Sequence, residues 1–218
     1  MDTFAGMDLM REKTTPHLQQ IIANGSTAIA RQFLRDGVSE NEETFGTSDP
    51  LGEESLYSPV KGIVHKFGNR ALIKVSYRCS AHCLFCTRAR QVGDPSGDLS
   101  EEDIDNCISY VHDHSEIDDV ILSGGDPFVT PAITFKLLSF LATMGNVKVI
   151  RIGTRLPVHD PHCFKNNPVL ELVKGVNLIS GSKPVYVLVH INHPDELVPE
   201  TRDTLVLLRK NCTALLSQ

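Results

Sequence analysis

Residues 71–86 read ALIKVSYRCSAHCLFC, a short run rich in apolar residues that is followed at once by three cysteines. Such a run predicts a β-strand, with the cysteines on the loop that follows it. Similar short runs recur further along the chain, separated by longer segments with apolar residues at helical spacing. Strands that alternate with helices indicate parallel pairing, with the helices covering the sheet. The predicted fold class is therefore α/β.

Four further strands and four helices are predicted after this first strand. The strands are residues 120–123, 147–152, 185–191 and 213–217, and the helices are residues 101–111, 133–143, 169–174 and 200–210. Ser100, which precedes three acidic residues, predicts the N-cap of the first of these helices. Residues 11–36 predict one or two helices interrupted near Gly25, and residues 36–58 predict a linker. The chain therefore divides into an N-terminal helical segment with its linker, residues 1–58, and a sheet-forming part, residues 59–218.

The composition is that of a globular protein. The chain has 218 residues, of which 41% are apolar and 22% are charged, and its formal net charge is −6. No apolar run approaches the roughly 20 residues of a membrane helix, and charges occupy the place of a signal peptide's apolar segment. We therefore expect a cytoplasmic protein that does not enter a membrane. Its acidic balance, without a basic stripe, also argues against nucleic-acid binding.

The six cysteines form two groups. Cys107, Cys163 and Cys212 are scattered among apolar neighbours, so we interpret them as buried thiols. The other three stand in the segment Cys79-Ser-Ala-His-Cys83-Leu-Phe-Cys86.

A CxxxCxxC loop is short enough to wrap one metal centre with three sulfurs. A structural zinc site needs a fourth ligand, which His82 inside the loop offers. An iron–sulfur cluster also takes thiolates, and three of them leave one iron of a four-iron cluster open to a small molecule. Because the loop follows a strand and no second CxxC-like pair exists in the sequence, we favour the cluster and keep zinc as the alternative.

Other polar groups also follow predicted strands. Ser123-Gly-Gly-Asp126 follows the second strand, Gly153-Thr-Arg155 follows the third, and His190 with Asn192 closes the fourth. In parallel sheets functional groups gather on the loops after the strands, so these groups are predicted to converge at one edge. The simplest role for Arg155 is to pair with a neighbouring acidic residue.

The cysteine spacing, with the aromatic Phe85 before the third cysteine, resembles the signature of the radical S-adenosylmethionine enzymes. A longer match resembles lysine 2,3-aminomutase and its relatives, from about residue 58 to the C-terminus. The matching segments occur in the family's order: Cys86-Thr-Arg-Ala-Arg90, Ile121-Leu-Ser-Gly-Gly-Asp126, Ile150-Arg-Ile-Gly-Thr-Arg155-Leu-Pro-Val158 and His190-Ile-Asn-His-Pro194.

The resemblance implies a set of cofactors and the residues that bind them. Cys79, Cys83 and Cys86 would hold a [4Fe-4S] cluster whose open iron chelates S-adenosylmethionine. Reductive cleavage of S-adenosylmethionine would then start a 1,2-shift of an amino group on an amino acid. The other cofactor-binding residues implied are Phe85 near the adenine, Ser123, Gly124, Gly125 and Asp126 at the methionyl part, with Asp126 accepting from its ammonium, and His190 and Gln218 lining the same cavity.

The resemblance also bears on the substrate. It places Arg88 on the substrate carboxylate, a task suited to a planar fork of donors. The family uses pyridoxal phosphate, and Lys66 and Arg70 keep positive charge where its phosphate would bind. The family's Schiff-base lysine has no counterpart in this chain. The Thr87–Arg90 and 159–182 stretches depart from the family, which leaves another amino acid, or a lysine of a translation factor, as alternative substrates.

The implied partners are an amino acid substrate and an electron donor such as a flavodoxin or ferredoxin, and self-association is left open. Two alternatives to the aminomutase reading remain: another radical reaction without pyridoxal phosphate, and an inactive metal-binding fragment. The implied fold is an incomplete (β/α)6 barrel with N-terminal helices, since five strands are predicted where the family has six. From that count we expect a truncated chain with an open sheet edge that associates readily.

Overall fold

A single six-stranded sheet forms the centre of the protein. The structure is a computed structural model that describes residues 10–35 and 49–217. Its strands, in chain order and also in sheet order, are β1 (Ile63–Phe67), β2 (Arg70–Ser76), β3 (Asp119–Gly124), β4 (Val149–Thr154), β5 (Val185–Val189) and β6 (Ala214–Ser217). β1 pairs with β2 in antiparallel fashion, and every later pair is parallel. The predicted α/β class is confirmed; in the described ranges β1 and β6 do not pair, so the sheet is open.

Seven α-helices lie in the part of the chain that the structure describes. They are α1 (Pro16–Ala23), α2 (Thr27–Phe33), α3 (Glu101–Asp113), α4 (Pro131–Thr143), α5 (Leu156–His159), α6 (Asn167–Ser180) and α7 (Pro199–Asn211). Each of α3, α4, α6 and α7 lies between two consecutive strands, the arrangement that parallel pairing requires. None of these helices is both long enough and apolar enough to cross a membrane.

The core has two parts. The larger part lies between the sheet and its helices and includes wholly buried strand residues such as Ile73, Leu122 and Ile150. The smaller part joins α1 and α2 to the loop after β2, through residues that are all buried: Leu18, Ile21, Ile29, Phe33 and Ala81. The N-terminal helices therefore pack directly on the loop that carries the cysteines.

Most of the predicted elements are confirmed, and the differences have physical reasons. Two helices flank Gly25, which takes a left-handed backbone with φ of +102°. Helix α6 runs well beyond the predicted residues 169–174, because Gly175 inside it packs against the ring of Phe135 instead of ending it. β1 was not predicted. Of the scattered cysteines, Cys107 is buried and the other two are half-buried.

A capping box begins α3, as Ser100 predicts. The Ser100 hydroxyl accepts from the Asp103 backbone N–H at 3.1 Å, and the Asp103 carboxylate accepts from the Ser100 backbone N–H at 2.9 Å. Ser100→Ala is expected to lower the free energy of unfolding by about 1 kcal/mol, because one N–H of the first turn loses its acceptor. Urea unfolding would measure this, and an unchanged midpoint would contradict it.

The same box predicts a pH dependence. The hydrogen bond from Lys61 and the one from the Ser100 backbone lower the pKa of Asp103 from its ordinary value of 3.8. The pKa of Asp103 is lower in the folded state than in the unfolded state, so the ionised carboxylate stabilises the fold at pH values above the unfolded pKa. This stabilisation disappears as the pH falls through the folded pKa. Asp103→Asn is expected to destabilise the protein at neutral pH and to flatten this part of the acid dependence in urea unfolding.

Candidate functional site

The loop of residues 79–86, called the cysteine loop below, follows β2 at the carboxyl edge of the parallel strands. The N-terminal helical segment holds its backbone in place. The His82 N–H donates to the Lys13 carbonyl and the Leu84 N–H donates to the Gln32 carbonyl, each at 2.9 Å. The position of the loop therefore depends on contacts with residues far away in the sequence.

The three thiols of the loop are partly buried and affect one another. Burial raises the pKa of Cys79, and the nearby Asp126, Cys86 and Cys83 raise it further. Burial raises the pKa of Cys83 to about 11, against the opposing effect of the Arg155 guanidinium. Burial also raises the pKa of Cys86. A metal centre bound by the loop would offset the charge of all three thiolates.

This donor set fits an iron–sulfur cluster, which thiolates hold. A single zinc ion would need four ligands at about 2.0–2.3 Å. Among residues 10–35 and 49–217, no group of three or more His, Cys, Asp or Glu side chains is arranged to hold a single metal ion. His82, the candidate fourth zinc ligand, donates from Nδ1 to the Arg11 carbonyl at 2.7 Å. A zinc-bound histidine also donates its other ring N–H to such a carbonyl, so the cluster stays the prediction and zinc its alternative.

Arg155, which follows β4, links the cysteine loop to a buried acid. Its Nη1 donates to Cys83 Sγ at 3.1 Å, and its Nη2 donates to Glu196 Oε1 at 2.7 Å. Glu196 is completely buried. The guanidinium also lies over the rings of Phe33 and Phe85, with 5.7 and 5.2 Å to their centres. The prediction that Arg155 pairs with a neighbouring acid is confirmed.

His159, the last residue of α5, is a second buried group beside the same sulfur. Its Nε2 lies 3.7 Å from Cys83 Sγ, and its Nδ1 lies 3.4 Å from Ser80 Oγ. Burial and the Arg155 guanidinium lower the pKa of His159 well below its ordinary value, so the imidazole is neutral.

The Gly-Gly turn after β3 is pressed against the segment that leads into the cysteine loop. A Cβ on Gly124 would lie 2.6 Å from the Ser76 carbonyl oxygen, and one on Gly125 would lie 2.2 Å from that of Arg78. Two hydrogen bonds hold this approach: the Gly125 N–H donates to Ser76 at 2.6 Å and the Asp126 N–H donates to Arg78 at 2.8 Å. Only glycine permits two backbones to come this close.

Asp126 is buried and braces the ends of β3 and β4. Its Oδ1 accepts from the Phe128 N–H at 3.0 Å and from the Thr154 hydroxyl at 2.8 Å. Its Oδ2 accepts from the N–H groups of Arg155 and Leu156 at 2.8 and 2.9 Å. The contact of Asp126 with the ammonium of S-adenosylmethionine stays a prediction, and such a contact would share oxygens that already accept four donors.

Arg88 forms a buried two-pronged ion pair at the end of the cysteine loop. Its Nε and Nη2 donate to the two carboxylate oxygens of Glu53 at 2.7 and 2.6 Å, and the two side chains are 14% and 8% exposed. Its Nη1 faces Ser123 Oγ and the Gly124 carbonyl, each at 3.4 Å. Glu53 therefore occupies the guanidinium nitrogens of Arg88 that, by the resemblance, would bind a substrate carboxylate.

Removal of Glu53 is expected to be costly. Glu53→Ala leaves the Arg88 guanidinium buried without its partner, and breaking a buried pair in this way costs about 3–5 kcal/mol. The matched control is Glu171→Ala, because Glu171 is 64% exposed and pairs with the exposed Lys174 at the surface. The control should change the free energy of unfolding by no more than about 0.5 kcal/mol. Equal losses for the two variants in urea unfolding would contradict the burial of the Arg88 charge.

Phe85 and His190 face each other beside the thiols. Their rings meet edge to face, with 5.8 Å between centres, and Phe85 remains 46% exposed. Burial and the Arg155 guanidinium lower the pKa of His190. Most of the predicted site residues thus lie at one edge of the sheet: Cys79, Cys83, Cys86, Phe85, Arg88, Ser123, Gly124, Gly125, Asp126 and His190. Gln218 lies outside the described residues.

The basic residues proposed for pyridoxal phosphate lie elsewhere. Lys66 Nζ lies 5.0 Å from the centre of the Tyr57 ring and donates to the Leu51 carbonyl. Arg70 begins β2, at the opposite end from the cysteine loop, and its Nε donates to Asp119 at 2.8 Å. Both cations are engaged within the chain, so this segment does not fit pyridoxal phosphate.

Three residues of the site were not predicted from the sequence. Glu53 lies in the segment interpreted as a linker, where nothing in the local pattern predicts a buried acid. Glu196 lies in a short turn after β5, and His159 lies in a stretch noted only as divergent. Each is recognised by burial, which depends on distant parts of the chain.

Comparisons with known proteins indicate the family to which the chain is similar. The profile of a family described as a 4Fe-4S single cluster domain matches residues 65–179. The chain is 32% identical over 203 residues to L-lysine 2,3-aminomutase of Methanococcus maripaludis, a match that covers 91% of this chain and 45% of the relative. It is 30% identical over 202 residues to L-lysine 2,3-aminomutase of Clostridium subterminale, covering 91% and 47%. With glutamate 2,3-aminomutase of Clostridioides difficile the identity is 31% over 161 residues, covering 71% and 35%. The chain spans about half the length of the curated relatives it matches.

Proposed function

This chain belongs to the lysine 2,3-aminomutase family of radical S-adenosylmethionine proteins and contains its 4Fe-4S single cluster domain, and from this premise we propose that it is a radical enzyme acting on an amino acid. The observation that carries the proposal is the placement of three half-buried thiols on one loop at the carboxyl edge of the parallel strands. The predicted reaction is a 1,2-shift of an amino group, as the names of the relatives suggest.

Cys79, Cys83 and Cys86 would hold the cluster. Bound there and reduced, the cluster would supply the electron for reductive cleavage of S-adenosylmethionine, the chemistry that starts a radical reaction on the substrate. The protein positions the reactants. The half-exposed Phe85 ring, edge to face with His190, offers a surface beside the thiols on which an adenine can lie.

Recognition of a substrate carboxylate is proposed for Arg88. Arg88 presents three nitrogens, of which two bind Glu53 and the third faces the Ser123 hydroxyl and the Gly124 carbonyl. A substrate carboxylate at Arg88 would add to, or displace, the Glu53 contact. No step is assigned to pyridoxal phosphate, because Lys66 and Arg70 are engaged elsewhere.

The proposed architecture is a partial (β/α)6 barrel. β2 to β6 are five consecutive parallel strands joined by helices, which is the repeat of such a barrel, and the open sheet leaves room for further strands between β1 and β6. The proposed partners are an amino acid and a flavodoxin or ferredoxin as electron donor, and the proposed site of action is the cytoplasm.

Anaerobic reconstitution with iron and sulfide tests the first step. The expected product holds about four irons per chain and, on reduction, converts S-adenosylmethionine to 5′-deoxyadenosine and methionine. The matched control is Cys212→Ser, since Cys212 lies after α7 and outside the cysteine loop. Tight binding of one zinc ion without any cleavage would overturn the proposal and favour the metal-binding alternative.

Analysis of the amino acid products tests the second step. The reduced protein would be incubated with S-adenosylmethionine and either lysine or glutamate. The β-amino isomers, which have the mass of the substrate, would be separated by chromatography and identified by tandem mass spectrometry. An isomer with its amino group moved by one carbon would support the amino shift. Cleavage of S-adenosylmethionine without such an isomer would favour a different radical reaction.

A further inference from the structure

Cys83 differs from the other two loop cysteines in its surroundings. Two nitrogen donors from one short turn of chain converge on its sulfur. Arg155 Nη1 lies 3.1 Å from Cys83 Sγ, and His159 Nε2 lies 3.7 Å from it. The two residues are the N-cap and the last residue of α5, four positions apart and therefore on the same face of the turn.

The Arg155 guanidinium is fixed in this orientation from several sides. Its Nη2 donates to the fully buried Glu196 at 2.7 Å and to Gln32 at 3.0 Å. The Phe33 and Phe85 rings cover it. Nη2 is taken by Glu196 and Gln32, Nε has no partner among the described residues, and Nη1 faces the sulfur.

The imidazole of His159 is fixed as well. It is almost fully buried, at 2% exposed, and meets the Phe33 ring edge to face at 5.3 Å between centres. Ser80 Oγ lies beside Nδ1 and Cys83 Sγ beside Nε2. The tautomer that carries its hydrogen on Nε2 satisfies both contacts, because Nδ1 then accepts from the serine hydroxyl and Nε2 donates to the sulfur.

We propose that Arg155 and His159 are positioning residues that orient Cys83 and raise the reduction potential of the cluster it ligates. Hydrogen bonds to the sulfurs and nearby charge are among the factors that set the potential of an iron–sulfur cluster. A donor or a positive charge beside a cluster thiolate stabilises the added electron of the reduced state. The inference rests on the proposed function, since it needs the cluster to be bound through Cys83.

Redox titration of the reconstituted protein, followed by electron paramagnetic resonance, tests this inference. Arg155→Met removes the charge and the donor while keeping an unbranched side chain. We expect it to shift the equilibrium between oxidised and reduced cluster at least tenfold toward the oxidised form, which for one electron is about 59 mV. His159→Leu removes only the neutral donor and should shift the potential in the same direction by less. The matched control is His162→Leu, because His162 contacts His17 rather than the thiols.

The possible outcomes separate this inference from the proposed function. If both variants hold four irons and keep the potential of the unaltered chain, the inference is overturned while the proposed function stands. If the unaltered chain binds no cluster, both are overturned. Arg155→Met also leaves the buried Glu196 carboxylate without its ion-pair partner. If that variant fails to fold, the shift of the reduction potential in His159→Leu relative to His162→Leu tests the inference.

A changed iron–sulfur stretching frequency in resonance Raman spectra would accompany the shift of the potential, because a lost N–H donor alters the bond between iron and the Cys83 sulfur.

Discussion

Replacement of Cys79, Cys83 or Cys86 by alanine is expected to abolish assembly of the four-iron cluster and, with it, cleavage of S-adenosylmethionine. Each change removes one of the three proposed protein ligands. Loss of groups that only orient metal ligands already costs about 10–100-fold in affinity or activity, so loss of a ligand should cost at least about 100-fold. Iron content, the absorbance of the reconstituted protein and the rate of 5′-deoxyadenosine formation would measure the effect.

The matched control for these variants is Cys212→Ser, which should keep its iron and its activity because Cys212 lies outside the loop. Thermal unfolding of the metal-free variants separates loss of a ligand from loss of fold. A single-cysteine variant that retained four irons and full cleavage would show that its thiol is not a ligand.

Gly125→Ala is expected to give the largest loss of stability from a single methyl group. The new Cβ would lie 2.2 Å from the Arg78 carbonyl oxygen and 2.7 Å from its backbone nitrogen. Both contacts are with backbone, so no side-chain rotation relieves them. The hydrogen bonds that Gly125 and Asp126 donate to Ser76 and Arg78 must stretch or break as well. We expect the free energy of unfolding to fall by about 3 kcal/mol or more.

The control for this variant is Gly145→Ala. No atom lies within 4 Å of a Cβ built on Gly145, and its backbone is outside the left-handed region. The control should change stability by no more than about 0.5 kcal/mol. Gly125→Ala should also lower the iron content of the reconstituted protein, since Arg78 leads directly into Cys79. Urea midpoints that coincide for the two variants would contradict the close approach.

The parallel part of the fold was predictable because its signals are local. Apolar runs such as residues 71–77 and the Ser100 cap depend on neighbouring residues alone, and the structure confirms them. Functional polar groups tend to follow parallel strands, and this rule predicted that the cysteine loop, the Gly-Gly turn and His190 lie at one edge of the sheet. β1 was not predicted because its residues do not alternate between apolar and polar. The Gly68-Asn69 pair between β1 and β2 is nevertheless a recognised hairpin signal.

The interior of the site was less predictable because it depends on tertiary contacts. Arg88 pairs with Glu53, which lies 35 residues earlier in a segment without apolar periodicity. Arg155 meets Glu196, 41 residues away, and Gln32, 123 residues away. A charged residue in the sequence is exposed by default, and only the folded chain shows that these charges are buried and matched.

The docking of α1 and α2 on the cysteine loop has a consequence for folding kinetics. Lys13 Nζ donates to the Cys79 carbonyl across 66 residues, and His82 Nδ1 reaches the Arg11 carbonyl across 71. Contacts of such long sequence separation require closure of a large chain loop and slow the steps that form them. The hairpin of β1 and β2 closes locally, whereas Cys83 packs against the small core that α1 and α2 help to form. We therefore expect the cysteine loop to stay accessible to solvent until these helices dock.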